Sequence, residues 1–316
     1  MYDLIILGAG PAGLSCAMYA MRKRLDFLVV SENLGGKTNM VITLPDVEDY
    51  TIIKAREQVS VYRSRLHYRS ELLRKETILS LKAAEDKQSN SGYRFETKTK
   101  RADGTIETYQ SRAVLLATGT SITLPEVPGM KQFWGRGLGT NIQSYNHAFW
   151  GKEVFLYGES TRVLWDALDL ASFAQKVYLG LSPEGTYEME VLEKVRTCPG
   201  VLLCEDSQIV GFQGNDFCKS VEIQCSSHLK LIRADGFFLE LDAQPVIDFM
   251  DPELGLRTDE DGLVEVDKMM QTSVSGLFAA GDVCDMGRSQ VLTALGQGAS
   301  AAISLYQWLK HVSSGE

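Results

Sequence analysis

The chain has 316 residues and a mass of 35.0 kDa, enough for about two domains. Its make-up, 44% hydrophobic and 23% charged with only 8 Pro, is that of a packed globular protein and excludes fibrous and disordered classes. A net charge of −9 argues against general affinity for nucleic acid, and no run of roughly 18 uncharged apolar residues is present to cross a membrane.

In chain order, the spacing predicts a strand at residues 4–7, a helix over 14–23 and a second strand at 27–30, a β-α-β unit that begins the chain. A helical stretch follows over 52–73, then strands at 78–84 and 93–99 with a polar loop over 85–92. Residues 112–118 read as a buried strand ending at Gly119, and the Gly- and Pro-rich stretch 125–139 reads as a hinge or linker. A second β-α-β unit starts with a strand at 154–157, turns at Gly158 and continues through a helix over 163–174 to a strand at 176–179. The last helix spans 297–309.

The first strand runs directly into Gly8-Ala9-Gly10-Pro11-Ala12-Gly13, a G-x-G-x-x-G turn that opens a helix. A pyrophosphate needs that order. Gly8 permits the tight turn, Gly10 lets the backbone approach the phosphates, and Gly13 lets helix pack on strand. The helix N-terminus then supplies free N–H groups and a positive dipole end. A second segment, Ser275-Gly276-Leu277-Phe278-Ala279-Ala280-Gly281-Asp282, must return beside this turn if both hold one cofactor. The expected fold is α/β, two Rossmann-like nucleotide-binding domains. Residues 1–118 and 245–316 form the first, and residues 119–244 form the second, inserted into it.

With Gly35-Gly36, Ala117-Thr118-Gly119, Ala280-Gly281-Asp282-Val283 and Gln290 added, the chain resembles the low-molecular-weight thioredoxin reductase family of FAD flavoproteins along nearly its whole length. The resemblance implies that Gly8, Gly10, Pro11, Ala12 and Gly13 hold the FAD pyrophosphate. It implies that the Asp282 carboxylate beside Gly281 bonds the ribityl chain and that Gln290 lies at the flavin ring. Ala117, Thr118 and Gly119 then pass the adenosine half. Ser31, Glu32, Gly36, Lys37, Asp46, Leu81, Ser289 and Val291 are carried over as further cofactor contacts. A homodimer and a ferredoxin or thioredoxin-like redox partner are implied in the same way.

Two departures bear on function. Where the family has C-x-x-C-D, with thiols that exchange electrons with flavin and then with a protein disulfide, ungapped counting places Asn141, Ser144 and Tyr145. Neither Asn nor Ser carries a redox disulfide, so no catalytic residue is assigned. Where the family has a G-x-G-x-x-A turn for NADPH, this chain reads Gly158-Glu159-Ser160-Thr161-Arg162-Val163. Glu159 puts negative charge where a diphosphate would sit, and a side chain replaces a glycine. The segment Gly180-Leu181-Ser182-Pro183 has no basic residue to clamp a 2′-phosphate. The expectation is a FAD-dependent oxidoreductase of this type that works without NADPH. Two alternatives stay open, a catalytically silent FAD-binding protein and a ferredoxin reductase-like electron-transfer flavoprotein.

The stretch 134–150 is aromatic, with Trp134, Tyr145, Phe149 and Trp150 around His147. These rings either fill a core or stack a second FAD or another nucleotide. Residues 51–76 hold seven basic side chains, Lys54, Arg56, Arg63, Arg65, Arg69, Arg74 and Lys75, against Glu57, Glu71 and Glu76. That is either a solvated helix face or a docking field for an acidic partner. The six cysteines, without secretion signals, are expected to be reduced thiols, with a Cys198–Cys204 pair across Pro199-Gly200 as an open alternative. Cys218 and Cys225 flank a strand that holds them beyond the roughly 7 Å needed for bridging. Cys16 reads as a packing residue, and Cys284 as a thiol either buried or near the ribityl chain. The four His show no metal-ligand spacing, so no metal is expected. The chain enters a strand at once rather than a basic-apolar leader, and a cytoplasmic location is the corresponding expectation.

Overall fold

A computed structural model describes residues 1–45, 55–84, 94–226, 228–284 and 290–314. The chain divides into two compact units: Met1–Asn39, Ala55–Ser121 and Gln244–Glu316 form the first, Met40–Lys54 and Ile122–Ala243 the second.

The first unit is built on β1 (Tyr2–Leu7), α1 (Pro11–Arg22), β2 (Phe27–Val30), α2 (Ser60–Tyr68), β3 (Thr77–Ala83), β4 (Phe95–Lys100) and β5 (Ile106–Leu116). β1 lies between β2 and β5, parallel to both, with Leu4 opposite Phe27 and Ala113. Because both faces of these strands are covered, they read as unbroken apolar runs. Leu4, Ile6 and Val29 join one core cluster with α1 residues such as Leu14 and Ala17, while Ile5, Leu7, Leu28 and Val30 join a second on the opposite face. β5 does two jobs. Its apolar end pairs in parallel with β1, whereas its first half pairs antiparallel with β4, Thr97 opposite Tyr109. The antiparallel half, Ile106-Glu107-Thr108-Tyr109-Gln110-Ser111, is mostly polar and partly exposed, and so falls outside the predicted buried run 112–118.

The helix expected over 52–73 is shorter: a turn at Ala55–Gln58 precedes α2, and Leu73–Arg74 already pairs with β2. Val59 and Leu66, seven apart, are its fully buried anchors, and the basic residues between them face outward or sideways.

The second unit is a parallel sheet formed by β6 (Glu153–Ser160), β7 (Lys176–Thr186), β8 (Val201–Cys204) and, after a three-stranded antiparallel sheet, β12 (Gly236–Glu240). The antiparallel sheet consists of β9 (Ser207–Gly214), β10 (Cys218–Cys225) and β11 (His228–Arg233). Two helices, α3 (Thr161–Ala171) and α4 (Met189–Arg196), cover one face. Val154 and Leu156 point to the helices, and Phe155 and Tyr157 to the antiparallel sheet, the period-2 alternation of a strand buried on both sides. In the first unit, β13 (Leu277–Ala279) joins β5, and α5 (Val291–Ser314) extends the helix expected over 297–309 in both directions.

One boundary is corrected. Residues 40–45, placed in the first domain by the sequence reading, belong with the second unit. The Thr43 amide donates to Gly135 O (2.8 Å), the Gly137 amide donates to Thr43 O (2.9 Å), and Ile42 is buried there beside Gly139 and Tyr145.

Candidate functional site

The Gly-rich turn is shaped by close backbone approaches. Gly8 takes φ +104°, where an added Cβ would lie 2.2 Å from Ala117 O. A Cβ on Gly13 would lie 2.0 Å from Gly8 O, so only glycine lets α1 sit this close to β1. Gly10 differs. It is the N-cap of α1 with extended backbone, and nothing lies within 4 Å of its Cβ position. The open side of the turn is therefore beside Gly10. Pro11 stands at the first helical position, which needs no N–H donor. The Leu14 amide donates to Gly10 O (2.9 Å), leaving the earlier N–H groups of the first turn at the mouth of the helix.

Around this turn gather the other expected residues of the first unit. The Gly35 amide donates to Ala9 O (2.8 Å), and Gly36, φ +56°, rests against Gly10. The Lys37 ammonium sits 2.9 Å from the Asp282 carboxylate and also bonds the Thr120 hydroxyl. Thr118 Oγ donates to Val246 O (2.7 Å), and the Val246 amide donates to Gly119 O (3.0 Å), fixing the end of β5. Glu32 is less central, accepting a bond from the Thr77 hydroxyl (2.6 Å), and Ser31 Oγ donates to Asn33 O (2.7 Å). Gly281 and Ala12 converge, with the Cβ position of Gly281 (φ +84°) 3.1 Å from Ala12 Cβ, and Ala117 is buried against Gly8. Leu81 is fully buried in the core behind the sheet, its amide donating to Phe249 O (2.9 Å), which makes it a packing residue. Gln290 accepts the Ala294 amide at the start of α5, beside Val291. Asp46 and Ser289 lie outside the described residues.

Sequence reading missed the α5 side of this site. The Gly281 amide donates to the Gln297 side chain (2.8 Å), and a Cβ on Gly298 would stand 2.1 Å from Ala12 O. The signal was present as a glycine-bearing run, Gly296-Gln297-Gly298, inside a helix. Cys284 is fully buried, its thiol directed at Gly281 O (3.1 Å), which is the packing alternative.

The second unit's turn is closed by its own residues. β7 does not stop at residue 179 but continues to Thr186, which pairs with Ser160 beyond a bulge. The Tyr187 hydroxyl donates within the cleft to Gly158 O (2.8 Å) or Ser182 O (3.0 Å), and burial pushes its pKa upward. Glu159 accepts the Asp242 amide (3.2 Å).

The segment 141–144 is bound to buried carboxylates. Glu240, at the end of β12 and 5% exposed, accepts the Ile142 amide (2.8 Å), with the Arg162 guanidinium 3.8 Å away. Burial raises its pKa to about 7 against the opposing pull of Arg162. Gln143 donates to Asp166 (2.9 Å), whose pKa burial also raises. Asn141, φ +61°, keeps a buried amide oxygen without a partner.

Several expectations are corrected. Tyr145 and Phe149 are core residues packed on Phe238, with ring centroids 5.7 and 5.5 Å away. Only Trp150, stacked on Phe173 at 6.1 Å, presents an open ring. Glu76 leaves the charged stretch, being buried and bonded to Thr99, Tyr109 and Arg101. Arg63 lies against Gly35 rather than on a free face. The thiol expectation also changes: Cys204 is bridged to Cys225, Cα–Cα 6.0 Å, and Cys198 is free. No metal-ligating cluster occurs among the described residues, and none of their helices is long and apolar enough to cross a membrane.

A doubly wound sheet with a glycine turn at a helix mouth, joined by a second strand-turn bearing an acid, defines a dinucleotide-binding flavoprotein. The fit to FAD rests on the open Gly10 cradle and on the carboxylate of Asp282 beside it. Bound there, FAD supplies an isoalloxazine that exchanges electrons singly or in pairs. Residues 2–298 match the family model described as pyridine nucleotide-disulphide oxidoreductase, and the chain belongs to that family. It is 27% identical to the thioredoxin reductase of Ureaplasma parvum, covering 98% of this chain and 97% of that one. It is also 27% identical to the NADH dehydrogenase of Bacillus subtilis, of which it spans 58%. The thioredoxin reductase structure from Streptococcus pyogenes superposes with a TM-score of 0.82 at 25% identity, covering 98% of this chain and 99% of that one. The protein is a FAD-dependent oxidoreductase of the thioredoxin reductase type.

Proposed function

We propose that this enzyme passes electrons through its flavin to or from a protein or disulfide partner without using NADPH. The contrast between the two glycine turns carries this reading. The first is open at Gly10, while the second is narrowed by the β7 extension, the Tyr187 hydroxyl and Glu159. A dinucleotide needs room at the helix mouth and an uncharged approach, and the second turn is narrowed and carries the Glu159 carboxylate. Gly8, Gly10 and Gly13 with the helix mouth would hold the FAD pyrophosphate, Thr118 and Gly119 its adenosine half, and Asp282 its ribityl chain. One FAD per chain and a homodimeric assembly belong to the same reading. A second FAD would have to use the inserted unit, where Trp150 and Trp165 are exposed rings.

For the donor, a small acidic protein such as ferredoxin suits the basic surface near α2, where Arg56, Arg65 and Arg69 are exposed. An acidic enzyme repels an acidic donor as a whole, so encounter depends on a local field of opposite sign. Anaerobic titration of the purified protein tests the reading. The flavin should keep its absorbance with excess NADPH or NADH and bleach with reduced ferredoxin. Rapid stoichiometric bleaching by micromolar NADPH would refute it. Heat should release FAD rather than FMN, and the ratio of FAD to protein decides between one flavin and two.

A further inference from the structure

Cys204 ends β8, at the edge of the parallel sheet, and Cys225 ends β10, in the antiparallel sheet of the same unit. Their bridge joins the two sheets. The sheets are also held by a shared core, in which Phe212, Val221 and Ile223 meet Phe155, Phe237 and Leu239. Burial of such side chains is strongly favourable, so six of them hold the sheets together without a covalent tie. The two sulfurs are unequal. Cys204 is 6% exposed, while Cys225 is only half-buried. The Lys230 ammonium on the neighbouring strand lies 3.7 Å from Cys225 Sγ, and His228 is its direct cross-strand neighbour. Beside Cys204, the Glu205 carboxylate is paired to Arg196 (2.6 Å). A less enclosed cysteine next to a cation, and a buried one, is the asymmetry that thiol–disulfide exchange uses.

We propose that Cys204–Cys225 is a reversible exchange site for dithiols, with Cys225 the sulfur that meets the partner and Lys230 the residue that stabilises its thiolate. In reduction, a thiolate of the external dithiol attacks Cys225 Sγ and the Cys204–Cys225 bond breaks. Cys204 leaves as a thiolate and takes up a proton. The second thiol of the reductant then attacks the reductant's own sulfur in the mixed disulfide, releasing Cys225 as a thiolate beside Lys230. Two electrons pass to the bridge, and the dithiol ends as a cyclic disulfide. Oxidation runs the same steps backwards. Cys16 and Cys218 do not compete, since burial pushes their pKa values up, that of Cys218 to about 12.

The site stands independently of how the flavin is reduced, because the test uses an external dithiol and needs no flavin turnover. The air-equilibrated full-length flavoprotein is incubated with graded ratios of reduced to oxidised dithiothreitol, quenched with an alkylating reagent and analysed by peptide mass. Cys204 and Cys225 should become alkylated together, and reversibly, while flavin absorbance and far-UV circular dichroism stay constant. In the reduced protein at pH 7, Lys230→Gln should slow alkylation of Cys225 by about threefold. An ammonium at this distance lowers a thiol pKa by on the order of one unit, and the gain in thiolate is partly offset by lower nucleophilicity. A bridge that opens only when the protein unfolds would overturn the proposal, as would free Cys204 and Cys225 in the air-equilibrated protein. An unchanged alkylation rate in Lys230→Gln would overturn the role of Lys230.

Discussion

Replacing Glu240 by Gln should make the protein more stable at neutral pH and leave it nearly unchanged in acid. Glu240 is fully enclosed at the end of β12, accepting the Ile142 amide, with Arg162 as its nearest opposite charge. Its ordinary value of 4.5 rises to about 7 in the folded chain because burial opposes ionisation. Below pH 4.5 the carboxyl is neutral in both folded and unfolded chains, so it carries no penalty. Between 4.5 and 7 the unfolded chain ionises it while the folded chain does not, and folding weakens as the pH rises. At about 1.4 kcal/mol per pH unit, the loss reaches about 3 kcal/mol above pH 7. Gln keeps an oxygen to accept the Ile142 amide and cannot ionise. Urea unfolding of both proteins at pH 4.5, 6 and 8, followed by the fluorescence of Trp134, Trp150 and Trp165, measures the difference. The gap between variant and parent should widen with pH and level off above 7. A gap independent of pH, or one that narrows as pH rises, would show that Glu240 is ionised throughout and held by Arg162.

Gly10→Val should fold as the parent does, within about 1 kcal/mol, because no atom stands within 4 Å of the new Cβ, yet lose its yellow colour on purification. Gly13→Ala should instead destabilise by on the order of 1–3 kcal/mol in thermal melts as well as lose flavin, since its methyl meets Gly8 O at 2.0 Å. Equal stability of the two variants would contradict the assignment of Gly10 to the ligand side and Gly13 to packing. If an acidic donor docks near α2, flavin reduction by ferredoxin should slow as salt shortens the Debye length below about 10 Å. The double substitution Arg65→Glu and Arg69→Glu should slow it at low salt with FAD content unchanged. Arg63 is kept because it lies against Gly35. Stopped-flow rates that ignore both salt and the substitutions would return the patch to a solvated face.

The sequence by itself determined the cofactor turn and the core strands. Gly8, Gly10 and Gly13 are readable because the G-x-G-x-x-G spacing between a strand and a helix is written in the sequence, and fully buried parallel strands announce themselves as apolar runs such as residues 4–7. The residue types at Asn141, Ser144 and Glu159 are legible in the same way, as chemistry is fixed by residue type. Tertiary structure decided what depends on distant partners. The Gln297 and Gly298 contacts to Gly281 and Ala12, the burial of Glu240 under residues 141–144, and the burial of Tyr145 and Phe149 on Phe238 join segments far apart in the chain. So does the Cys204–Cys225 bridge, which joins the ends of strands from different sheets. Residue type gives a side chain's capacity to pack, titrate or bridge, but its neighbours fix which capacity is used, and those neighbours are brought together only by the fold.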